Sequence, residues 1–340
     1  FGNLTTDPIS AAGLDTDTGL PPARGGFHTN VGYAELDVPV LSELDLRGAV
    51  RVVNDSGYGT IAVWSVGGRL LPPGWQDATG LSIHGNLSSN YRQPALLERF
   101  DAALGFGGCD NLRCPAPVVT GNAAVQPEKS LNGTVGVSVE PPALRGLLAS
   151  LDYWNIAVTQ IIFPSPSYAN GGGAINTSGL DLGLRYGQET PAGRFGLRST
   201  FTYLLRYDTS AAFSDATSFA GNYLGAGSAI GGVTPRLKFD AAIDWKLADL
   251  AAALSSRFIG GFDECSEGVC SPGEQAHHVP AYVTFDLTAA YKIGGTSLAA
   301  GVHNLANAVP PKIYESFLTF ADPAYDFIGR AFYARATQRF

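Results

Sequence analysis

The sequence predicts an all-β chain, an antiparallel transmembrane β-barrel with about thirteen strands present, and three observations predict it. Apolar residues recur at every second position in one segment after another. The connections between these segments alternate between short and long. Charged residues make up only 15% of the 340 residues, beside 42 Gly, 18 Phe and 14 Tyr, where ordinary globular domains carry roughly 25% charge. Such a surface needs a neighbour other than water. No run of 18 apolar residues occurs, so helical spans are disfavoured. Barrels hide their membrane signal in alternation, and the mean hydropathy near zero fits that.

In chain order, Ala34 to Val40 and Leu46 to Val52 alternate around the short turn Leu41 to Leu44. Ile61 to Leu71 is strand-like but shifts phase. Leu81 to Tyr91 follows, then Leu131 to Val139 and Leu147 to Tyr153 joined by Pro141 to Arg145. Leu180 to Tyr186 and Leu197 to Tyr207 flank the turn Gly187 to Gly193. The clearest strand is Pro235 to Leu247, with Leu237, Phe239, Ala241, Ile243, Trp245 and Leu247 on one face and Arg236, Lys238, Asp240, Asp244 and Lys246 on the other. After Ala248 comes Leu250 to Phe258. Ala281 to Ile293 repeats the pattern with Val283, Phe285, Leu287 and Tyr291 against Thr284, Asp286, Thr288 and Lys292. The turn Gly294 to Thr296 leads into Leu298 to Val302, and Phe332 to Phe340 closes the series.

Between the short turns lie long Gly-, Ser- and Asp-rich loops: Phe1 to Thr29, Asp101 to Val125, Pro164 to Gly173, Thr209 to Thr234, Gly261 to Pro280 and Pro310 to Ile328. Outer-membrane barrels sort loop length in this way, with short turns on the periplasmic side. A soluble sandwich has no reason to. Tyr33, Tyr91, Tyr186, Tyr207, Trp245 and Tyr291 near strand ends suit interfacial girdles. Counting back from the last residue puts Phe332, Ala334, Ala336 and Phe340 towards lipid, with Gln338 a polar misfit there. The charges Arg236, Lys238, Asp240, Asp244, Arg257, Asp286, Arg335 and Arg339 then line a hydrated lumen.

A net charge of −8 argues against nucleic acid as a partner. No Gly-x-Ser-x-Gly elbow is present, and the Gly-rich stretches 105–108 and 171–173 lack the strand-to-helix setting of a phosphate loop, so neither an enzyme nor a cofactor is expected. Cys109 with Cys114 and Cys265 with Cys270 form close pairs within loops, candidates for local disulfides in an oxidising compartment. Asp263, Glu264, His277 and His278 lie near the second pair, but the cysteine spacing does not match a zinc knuckle, and a disulfide staple is the expectation over a metal. There is no Met and no leader segment, so the native N-terminus is expected to be missing or processed away.

Three stretches carry a resemblance. Ser88 to Phe100, SSNYRQPALLERF, is followed by Gly121 to Ser130, GNAAVQPEKS. His303 to Pro311 is HNLANAVPP, and Gly329 to Phe340 is GRAFYARATQRF. They resemble segments of the TonB-dependent outer-membrane receptors: an Arg-x-Pro strand end paired with a later Pro-Glu-Lys-Ser, an Asn-Leu-Phe-Asp segment, and a final strand ending on Phe. Ala306 stands where that segment usually has Phe, and Gln338 where the final strand is commonly aromatic.

The resemblance implies that residues 1–340 are the C-terminal part of a 22-stranded barrel, with the plug domain and roughly the first nine strands outside this chain. It implies uptake of a scarce small-molecule nutrient (a siderophore, cobalamin or oligosaccharide), driven by the TonB complex through the plug. Outer-membrane lipid and the barrel-assembly machinery are the other expected partners, the latter through the C-terminal strand with Phe332 and Phe340. Because loops on a rigid scaffold carry recognition, Tyr168, Asn170, Phe213, Phe219, Tyr223, His277, Tyr314 and Phe320 are candidate substrate-loop residues. A passive porin or hydrophobe channel of about 14 strands and a secreted all-β binding protein are the alternatives.

Overall fold

The structure, a computed structural model, describes residues 4–5, 26–100, 104–105, 118–165, 167–171, 173–210, 217–224, 232–264, 275–314 and 324–339. Thirteen long strands dominate it: β1 (His28–Leu41), β2 (Leu44–Asp55), β3 (Gly59–Leu70), β4 (Ser82–Arg92), β5 (Glu128–Val139), β6 (Leu147–Thr159), β7 (Ala174–Thr190), β8 (Gly193–Ser210), β9 (Leu237–Leu247), β10 (Leu250–Ile259), β11 (Tyr282–Ile293), β12 (Thr296–His303) and β13 (Ala331–Gln338). Each pairs antiparallel with the next, so the sheet is a simple meander. Leu4–Thr5 adds to the free edge of β1, and Thr217–Ser218 to β8. Among the described residues β13 pairs only with β12, so the sheet is open.

Connections at one end, the turn end, are short: 42–43, 191–192, 248–249 and 294–295, with 140–146 and 71–81 somewhat longer. The last carries a short helix, α1 (Trp75–Thr79). The loop end holds the remaining connections, all long except the tight 56–58 turn. The expected sorting by length therefore holds apart from that turn.

Register shows why alternation was legible. Ile243 pairs with Leu254, Leu254 with Leu287 and Leu287 with Val302, an apolar row across four strands. Three residues along, on the opposite face, Asp240 pairs with Arg257 and Arg257 with Thr284. The apolar face is bare: Leu36 is 65% exposed, Ile243 53% and Leu287 41%. Among the described residues no second layer covers it, the form of the outward face of a membrane barrel. Phe201, Phe239 and Phe258 form a ladder on that face, with ring centroids 5.2 and 4.8 Å apart. The buried apolar core lies instead among the loop-end segments, around Tyr223, Phe262, Val279, Tyr282 and Ile313.

Two details differ from the sequence reading. Tyr33 pairs with Arg51 and so lies on the polar face rather than in a lipid-side girdle. β7 and β8 run for 17 and 18 residues, whereas a membrane strand needs roughly 9–11. Their loop-end portions, beyond a register shift at Ser178/Gly179, therefore extend past the length that a membrane strand needs. At the turn end Trp245 donates its indole N–H to the Ala192 carbonyl at 2.8 Å, the amphipathic use expected of an interfacial Trp. Gln338, the polar misfit, is paired with Thr296 and accepts its hydroxyl hydrogen bond. Phe340 lies outside the described residues.

Candidate functional site

The loop end is built from two groups of segments. In the first, β4 ends in Arg92, which pairs in register with Glu128 at the start of β5. Its guanidinium donates to Glu128 at 2.7 and 2.8 Å and to Glu98 at 3.1 and 3.0 Å. Glu98 lies on the short helix α2 (Leu96–Phe100) and accepts the Ala95 amide, and Glu128 also accepts the Ile162 amide at 2.8 Å. One cation thus ties together the starts of three loop-end segments. Pro94 and Pro127 beside it are fully buried.

Next to this clamp, Arg99 and Asp55 are both buried, with Arg99 Nη1 3.8 Å from Asp55 Oδ1. Gly57 is needed there, since a Cβ would stand 1.7 Å from Arg99 Nη2. Asp55 is otherwise satisfied by the Thr29 hydroxyl and the Gly57 amide. Burial, and then the neighbouring Tyr91, raise the Tyr58 hydroxyl in the same turn well above its ordinary pKa.

Tyr168 and Asn170 belong to this first group, on a small hairpin of Ile162–Ser165 and Ser167–Asn170. Asn170 accepts the Gln126 amide at 2.7 Å and donates to the Gln126 and Gln160 carbonyls at 2.8 Å each. Its amide is thus spent on joining loops. The backbone of Tyr168 bonds Thr120 and the Asn122 side chain.

The second group covers the loop ends of β9 to β12. Tyr223, Phe262, Val279, Tyr282, Ile313 and Tyr325 share one core. Glu264, 2% exposed, accepts the Tyr314 amide at 3.1 Å on each oxygen and meets Nδ1 of His277. His277 and Tyr314 pack edge to face at 4.6 Å. On the ribbon of Phe262–Glu264 and His277–Val279, Glu264 pairs with His277 and Asp263 with His278, at 2.7 Å in the latter case. Adjacent pairs point to opposite faces of a ribbon, so these four side chains do not converge on one point.

The lumen wall beneath this group holds a recess of about 300 Å³. His303 lies there between two carboxylates, Nδ1 at 2.9 Å from Asp286 and Nε2 bonded to Asp326, the arrangement of an imidazolium that donates twice. Tyr282 donates to the Asp326 carbonyl at 3.3 Å. Arg257 lies 3.4 Å from Asp240. The His303 hydrogen bond, and then the Ile328 amide, hold the Asp326 carboxyl below the usual carboxylate range.

The structure therefore brings Tyr223, His277 and Tyr314 together and sets Tyr168 and Asn170 in a separate group. Phe219 and Tyr223 are buried, at 7% and 3% exposure, and support the loops from within. Tyr314 is 57% exposed and the His277 side chain 43%, so these two face outward. Phe213, Phe320, Cys109, Cys114, Cys265 and Cys270 lie outside the described residues. Sequence reasoning missed Arg92, Glu98, Glu128, the Arg99–Asp55 pair and the link between His84 and Asp152 at 2.6 Å. The Arg-x-Pro and Pro-Glu segments were the available signal for the clamp.

A single-layer antiparallel meander, lipophilic outside, polar inside and crowned on one end by packed loops, is the wall of a transmembrane β-barrel. The model of the TonB dependent receptor-like β-barrel family matches residues 2–305, and the chain belongs to that family. Its place is the bacterial outer membrane. No curated protein matches the chain in sequence. Similar solved structures include the siderophore receptor PirA from Acinetobacter baumannii, 15% identical with a TM-score of 0.66, covering 93% of this chain and 46% of that one. A ferric enterobactin receptor (PfeA) mutant from Pseudomonas aeruginosa is 17% identical with a TM-score of 0.66, at 93% and 45% coverage. The copper transporter OprC is 17% identical with a TM-score of 0.61, at 93% and 48% coverage. At such identities the likeness is one of fold. The chain spans about half the length of the structures it matches.

Proposed function

We propose that the chain forms the C-terminal part of the barrel of a TonB-dependent active transporter that takes up a scarce small-molecule nutrient, with a ferric siderophore as the leading class. The observation that carries this reading is the loop-end cluster: a buried core holds Glu264 rigid, and Glu264 holds His277 and Tyr314 outward above a polar lumen. Rigid support beneath a few exposed aromatic and polar groups is the form of a ligand platform. In this reading a plug encoded upstream fills the lumen and answers to the TonB complex, lipid covers the apolar face, and the barrel-assembly machinery receives the strand bearing Phe332. The family membership and the siderophore receptors among the structural neighbours support the class.

The test is uptake of radiolabelled iron by a receptor-deleted host that carries the full-length gene. TonB-dependent accumulation from at least one ferric siderophore is expected, and weaker binding in a His277→Ala Tyr314→Ala variant. Equal uptake with and without TonB would favour a passive channel and sink the reading.

A further inference from the structure

Arg185 of β7 and Arg198 of β8 face each other as a direct register pair. They lie on the polar face, as the neighbouring pairs Gly183–Thr200 and Gly187–Gly196 do. Like charges placed directly opposite on adjacent strands repel, and little nearby offsets them. Asp244 is 3.7 Å from Arg198, and Glu189 is 3.7 Å from Arg194. Among the described residues no ion pair involves Arg185, whose other cross-strand neighbour on that face is Leu148.

The pair also stands over an opening. Gly187 and Gly196 carry no side chains, and a recess of about 400 Å³ lies between them and three arginines, Arg185, Arg194 and Arg198, with Glu189 and Asp244 as the two carboxylates on its lining. Gly196 is required for that arrangement, because a Cβ there would stand 2.4 Å from Asp244 Oδ2. With no side chain at Gly196, Asp244 keeps its place beside Arg198, which orients one guanidinium and leaves that of Arg185 outside any ion pair among the described residues.

We infer that Arg185 and Arg198 form an oxyanion site on the lumen wall that takes a carboxylate or phosphate group between two guanidinium forks. The planar fork matches the two oxygens of such a group bidentately. The glycine floor lets the group, and the backbone or ring that bears it, approach the wall closely. The group has two possible sources: a carboxylate of polypeptide seated in the lumen, or a free anionic solute. The site rests on the lumen face alone and does not depend on the transport reading.

Phenylglyoxal modification of the full-length receptor in detergent, followed residue by residue by mass spectrometry, tests it. Arg51, on the polar face of β2 with Tyr33 and Val63 as its cross-strand neighbours, is the reference. With a polypeptide carboxylate in place, Arg185 and Arg198 react about tenfold more slowly than Arg51 without any added anion. With a free anion as occupant, they match Arg51 until inorganic phosphate is added and then slow by about tenfold while Arg51 does not. In either case Arg198→Gln brings Arg185 to the rate of Arg51. Rates equal to that of Arg51 with and without phosphate, or protection of Arg185 that survives Arg198→Gln, would overturn the site.

Discussion

Arg92 and Glu128 are the partners that give the two halves of a sequence signature their physical meaning. The Arg-x-Pro that ends β4 and the Pro-Glu that opens β5 are separated by a long loop, yet the guanidinium and carboxylate meet at 2.7 Å. The same guanidinium holds Glu98, so the loop is fastened at both of its ends.

Arg92→Ala should cost about 2 kcal/mol, more than an exposed pair and less than a fully buried one. The side chains of Glu98 and Glu128 are only 15% and 13% exposed, while that of Arg92 is 47% exposed. Arg92→Lys should recover less than half, since one ammonium cannot serve both carboxylates bidentately. The midpoint of urea unfolding of the folded receptor measures this, and an Arg92→Ala midpoint indistinguishable from wild type would refute it.

Asn304 carries a backbone φ of 49° and closes a loop on Ala308, donating to its carbonyl and accepting its amide at 2.8 Å each. Asn304→Ala loses both bonds and, with them, the local hydrogen bonding that lets an Asn occupy the left-handed region better than an Ala, for a loss of about 2–3 kcal/mol. Asn304→Gly relieves the backbone but not the bonds, and should fall between. Protease sensitivity of the segment after β12 is the measurement, and equal sensitivity of the two variants would contradict the backbone part.

Asp326 gives a pH dependence. Its folded pKa lies below its unfolded value, so its contribution is complete above the ordinary carboxylate range near about 4 and fades as pH falls through the folded value. Hydrogen exchange in the segment that returns to β13 should therefore rise as pH is lowered below roughly 4. Asp326→Asn should exchange quickly throughout and lose the acid transition. A transition that persists in Asp326→Asn assigns it elsewhere.

Gly136 stands between His84 and Asp152, in register with both. A Cβ there would come 2.0 Å from Asp152 Oδ1 and 2.8 Å from His84 Nε2. Gly136→Ala should cost about 1–2 kcal/mol by severing the link, and much less in an Asp152→Ala background. Additive effects in that double-mutant cycle would show that the glycine serves something else.

The strands were legible because lipid and lumen impose opposite polarity on successive residues, which needs no knowledge of partners. Tyr33 shows the limit. Its position near a strand end suggested a girdle, but its parity with Arg51 decides its face. The loop end was legible only as composition, since whether Tyr223 is buried or Tyr314 exposed depends on how three distant segments fold against each other. The clamp of Arg92 was visible as letters and not as a contact. Arg185 and Arg198 were invisible as a pair because cross-strand register is set by the turn and not by the alternation.

The His84–Gly136–Asp152 row has a further consequence, for assembly. A slip of β5 by one residue turns Gly136 to the opposite face and presents Val135 or Val137 between the imidazole and the carboxylate. The link can then form only when three successive strands have been inserted in correct alignment. A residue with no side chain thus makes one side-chain contact a signature of correct register across three strands.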